Sequence, residues 1–191
     1  MRLFSRRKPN KEMPPRPITF ESIFDSFYKK ACEVMTDYKN AKTELLPLFY
    51  LICDFAVCEA QQDRKYYMLR MQNAISVPLL RDLDDPFAWL DGRTELYANV
   101  LNGMTPLRME WFAGDPQALP SDLRNDPIFV CNSVFCDFMV NPYCAENYEN
   151  SPIYIRGIDK MVALADKAKA LYACMTQYFT AIYEWCKANQ P

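Results

Sequence analysis

Between Met161 and Trp185 the apolar residues fall at Met161, Leu164, Ala168, Leu171, Met175, Tyr178, Ile182 and Trp185. The steps alternate between three and four, which is the period of an α-helix. Ala165, Tyr172, Phe179 and Cys186 lie beside this row and widen it from a seam into a face. A narrow two-position seam suits a two-stranded coiled coil, whereas a three-position face suits a helix lying on a globular core. Asp159, Lys160, Asp166, Lys167, Lys169, Gln177, Glu184 and Lys187 occupy the other side, which reads as solvated. At a rise of ~1.5 Å per residue, a helix from Ile158 to Asn189 is about 46 Å long. That exceeds the diameter of most small domains, so further helices must pack along it. The expected fold is all-α: a single-domain bundle of about five to seven helices organised around this long C-terminal helix.

The rest of the chain supplies such helices. Thr19 is placed to cap a first helix whose buried face is Ile23, Phe24, Phe27, Tyr28, Ala31, Val34, Met35 and Tyr38, with Asn40 at its end. A second begins near Thr43 or Glu44, with Pro47 in its first turn or kinking it slightly. It is apolar on all sides over Leu48–Val57, which suits a central position, and its pattern can run on to about Ala74. Beyond it one device recurs: a capping side chain followed by proline, at Asp85-Pro86, Thr105-Pro106, Asp115-Pro116, Asp126-Pro127, Asn141-Pro142 and Ser151-Pro152. The first residue accepts an orphan backbone N–H and the proline presets φ, so the pair starts a helix or a turn. Helices are expected over Pro86–Leu101, with a break at Asp91-Gly92 as an option, over Pro106–Phe112, and over Pro127–Val140. Pro142–Gly157 reads as irregular.

Residues 1–17 differ in kind. They carry four prolines and six basic residues, Arg2, Arg6, Arg7, Lys8, Lys11 and Arg16, against Glu12. This is a net +5, so the whole-chain charge of −2 leaves −7 on residues 18–191. Prolines among charges, with little to bury, predict an extended basic arm separate from the domain of 18–191. Such an arm is a solubilising tail or an electrostatic tether to nucleic acid or an anionic surface, with Arg2, Arg6, Arg7 and Lys8 as the contacts. Arg64, Lys65 and Arg70 are accessory basic residues in the nucleic-acid version.

The eight cysteines mostly lie inside apolar helical patterns, where a free thiol behaves as a small hydrophobe. Met1–Pro17 has no apolar run resembling a leader, and Leu45–Cys58 is too short for a span and is interrupted by Pro47 and Asp54. A reducing, cytoplasmic setting without a transmembrane segment is the expectation. The chain has no histidine. That excludes Ser-His-Asp and Cys-His catalysis and every histidine-held metal. Its glycines are isolated, so no phosphate-binding loop is present, and cysteines five apart on a helix diverge too far to share a metal. No cofactor and no metal are expected.

Two sets of residues remain as candidate sites. Asp54 and Asp137 each interrupt an apolar segment, within the heptamers Leu51–Val57 and Val134–Val140, which share Cys, Asp, Phe and Val at matching positions with no similarity on either flank. A carboxylate there is paired with a cation or hydroxyl, or faces a cavity as acid, base or hard-metal ligand. The second set consists of aromatics and arginines in the segments expected to be irregular: Arg108, Trp111, Phe112, Tyr143, Tyr148, Tyr154 and Arg156. Such residues on loops compose binding patches, or they close one end of a bundle. The leading functional expectation is a non-enzymatic interaction protein that binds a protein partner or forms a homodimer. The alternatives are nucleic-acid association through the arm and a carboxylate enzyme using Asp54 and Asp137.

Overall fold

The computed structural model describes residues 18–38, 40–104, 123, 125–140 and 158–189, apart from the side chains of 75–77, 137, 140 and 158–163. The basic arm, the expected helix Pro106–Phe112 and the segment Pro142–Gly157 therefore lie outside the described residues. The fold is all-α. Six helices follow one another among the described residues: α1 Phe20–Val34, α2 Ala41–Glu59, α3 Arg64–Leu79, α4 Pro86–Leu101, α5 Pro127–Val140 and α6 Ile158–Ala188.

The long C-terminal helix α6 lies along α1, α2 and α5. Its apolar stripe is the core face: Leu164, Ala168, Leu171, Met175, Tyr178 and Ile182 are all buried, joined by Cys174 and Cys186. Trp185, at the end of the expected row, is only half-buried. The stripe is thus covered within one chain and is not left free as a dimer seam. α2 is the hub, packing against each of the other five helices. This is why it is apolar on every side and why Leu45, Leu48, Phe49, Ile52, Cys53 and Ala56 are shut off from solvent. At the centre the Tyr178 ring sits 4.7 Å from Phe49 and 5.8 Å from Phe27, and Phe24 meets Phe49 edge-on at 5.6 Å.

The helix ends show which local signals dominated. Thr19 caps α1 in a reciprocal box with Ser22, each side chain bonding the other's backbone N–H. Asp85 accepts from Ala88 N–H at 3.0 Å to start α4, and Asp126 accepts from Ile128 N–H at 2.9 Å to start α5. The cap-proline pairs at Pro86 and Pro127 are therefore true starts, and α4 runs through Asp91-Gly92 without a break. α4 closes on Gly103 at φ 70°, with Gly103 N–H to the Val100 carbonyl and Met104 N–H to the Asn99 carbonyl.

Three expectations need correction. α1 stops at Val34, not near Asn40, and Lys167 of α6 reaches across this end to bond the Val34 carbonyl at 3.1 Å and Asp37 at 2.7 Å. The same contacts take Lys167 out of the solvated face. α2 begins at Ala41, so Pro47 lies within the helix and not in its first turn. Finally, α2 does not continue towards Ala74. Gln61 turns the chain at φ 57°, with Gln61 N–H to the Cys58 carbonyl and Gln62 N–H to the Val57 carbonyl. Asp63 then caps α3 through Tyr66 N–H at 3.1 Å. The result is a Schellman ending of the kind seen at Gly103, built on a residue with a side chain.

A left-handed conformation costs an L-residue roughly 1–2 kcal/mol, and glycine's greater freedom in the unfolded chain returns about 0.4–1 kcal/mol of that. Gln61 is exposed. Gln61→Gly is therefore expected to stabilise the protein by about 0.5–1 kcal/mol, measured as an upward shift of the urea midpoint at constant slope. A loss of stability would show that the Gln61 side chain contributes more than its backbone costs.

Cys53, Cys131, Cys174 and Cys186 are buried thiols, as expected of small hydrophobes, whereas Cys58 is exposed. Burial pushes the Cys186 thiol up to about 11, which disfavours the reactive thiolate there.

Candidate functional site

Among the described residues, a groove lies where the N-terminal half of α3 meets the C-terminal end of α6. α3 supplies Tyr66, Tyr67 and Arg70, which share one side of the helix at spacings of three and four. α6 supplies Trp185, and Asn189 just beyond its end donates its amide to the Trp185 carbonyl at 2.8 Å. Gln62 and Asp63 of the corner close one end. Together these residues line a pocket of about 420 Å³.

Arg70 organises the wall. Its Nε and Nη2 both donate to Glu21 Oε1, at 3.0 and 2.6 Å. Its guanidinium lies 5.2 Å from the Phe20 ring and 5.7 Å from each of the Tyr66 and Trp185 rings, so three aromatic faces surround one cation. The rings also pack on each other: Tyr66–Tyr67 centroids are 5.1 Å apart, Phe20–Trp185 5.6 Å and Tyr67–Trp185 6.1 Å. Burial raises the Glu21 carboxyl, but its own backbone N–H and the bonded Arg70 outweigh this and hold it below the usual carboxylate range. Of the aromatic lining, Tyr66 is 53% exposed, while Tyr67 is buried. The Trp185 indole N–H donates to the Ile18 carbonyl at 3.2 Å, which fixes the start of the described chain against the groove wall.

Asp54 lies elsewhere. Both its oxygens accept from Arg64, at 2.6 Å from Nε and 2.8 Å from Nη2, and Cys58 Sγ sits 3.8 Å away. A two-pronged bond of this kind holds a carboxylate in one orientation. The pair crosses the α2–α3 corner and ties the two helices together. The Asp137 side chain falls outside the described residues, as do Arg108, Trp111, Phe112, Tyr143, Tyr148, Tyr154 and Arg156 and the arm residues Arg2, Arg6, Arg7 and Lys8. Of the accessory basic residues, Arg64 and Arg70 are engaged with Asp54 and Glu21.

A second ionic pair is deeper. Arg93 Nη2 is 3.1 Å from Glu44 Oε1, with side-chain exposures of 16 and 8%. The Arg93 guanidinium lies over the Trp89 and Phe138 rings. Burial raises the Glu44 carboxyl, and Arg93 opposes the rise. Tyr97 is fully buried beside this pair, and its hydroxyl has no hydrogen-bond partner among the described residues, nor has Glu44 Oε2.

The sequence marks Tyr66 and Trp185 only as members of apolar helical patterns and Arg70 only as an accessory basic residue. One local signal is present, an aromatic pair followed by arginine at the next helical turn. Its meaning depends on Trp185 and Phe20 arriving from the two ends of the chain. Among the described residues, no group of acidic or cysteine side chains is arranged to hold a metal, and no helix is long and apolar enough to cross a membrane. No protein-family model, no curated protein and no solved structure matches this chain.

Proposed function

We propose that this protein is a non-enzymatic interaction module that holds an extended segment of a protein partner in the groove formed by Tyr66, Tyr67, Arg70 and Trp185. The observation that carries this reading is the groove itself: an aromatic-walled pocket with an exposed tyrosine and a bonded arginine in its lining. Tyrosine, tryptophan and arginine are the residues that dominate protein-binding surfaces, because they offer large rigid area together with a polar handle. Arg70 and its rings are held by Glu21 and by mutual packing, so little order has to be gained on binding. The acidic body favours partners that carry basic residues.

The test is peptide selection on the intact protein, followed by titration of the selected peptides into wild type and Tyr66→Ser. Tyr66 is half-exposed at the rim, so its replacement leaves the core in place. Selected peptides should lose roughly 1–2 kcal/mol of binding, about five- to thirtyfold, while the thermal melt stays within a degree or two. Peptides that bind both proteins equally would place recognition on another surface and end this reading.

A further inference from the structure

We draw no further inference here: the strongest candidate, the buried side-chain cluster of Glu44, Arg93 and Tyr97 between α2 and α4, rests only on polar atoms that have no hydrogen-bond partner among the described residues, and nothing in the structure shows what ligand they would hold.

Discussion

Arg93→Met is expected to lower the stability of this protein by about 3–5 kcal/mol at neutral pH, the cost of leaving a buried charge without its partner. Glu44 is almost fully enclosed, Arg93 Nη2 is its bonded cation at 3.1 Å, and its second oxygen has no hydrogen-bond partner among the described residues. Methionine keeps an unbranched apolar stem but removes the charged guanidinium that lies over Trp89 and Phe138. The double variant Glu44→Gln with Arg93→Met should recover most of the loss, because the pair's desolvation cost disappears with the pair. The pH dependence carries a definite sign. Burial already holds the Glu44 carboxyl above its ordinary 4.5, and losing Arg93 raises it further. A carboxyl whose folded pKa exceeds its unfolded value costs stability above that range, and the cost fades as pH falls towards the unfolded value. The deficit of Arg93→Met, measured by urea unfolding, should therefore shrink between pH 7 and pH ~5. A deficit that stays constant would assign the loss to packing.

Leu171→Ala is expected to cost about 2–5 kcal/mol, through lost transfer energy and the cavity left in a close-packed interior. Leu171 is fully buried at the middle of α6, in the same cluster as Met175 and Tyr178. Ordinary domains are stable by roughly 5–15 kcal/mol, so one substitution removes a large share. Since α1, α2 and α5 cover this face within a single chain, the melting temperature of the variant should not depend on protein concentration. A midpoint that rises with concentration would mean that association between copies completes this core.

Features that depend on residues adjacent in sequence are legible in the sequence itself. α4 and α5 start where Asp85-Pro86 and Asp126-Pro127 place them, since a cap and a fixed φ act within one turn. The all-α class and the buried face of α6 follow from a period sustained over a long stretch. The contact that satisfies the end of α1 at Val34 is not legible in this way, because Lys167 comes from a sequence separation of 133. The α2–α3 corner escapes for a related reason. Gln61 has no preference for the left-handed region, and Arg64 holding Asp54 together with the packing of α3 on α2 favours the turn there.

The candidate site divides in the same way. Composition and periodicity determined that this chain packs helices around apolar faces, that histidine chemistry is closed to it, and that a basic proline-rich segment precedes an acidic body. These are properties of residue types and short spacings, and they survive any arrangement of the helices. Tertiary structure alone decided that Phe20, Tyr66 and Trp185 surround Arg70, that Glu21 anchors it, and that Ile18 meets Trp185 across a sequence separation of 167. Together those contacts join the start of the chain, its middle and its end. The energy that selects them comes from burying the faces of α1, α3 and α6 together, which no local pattern encodes.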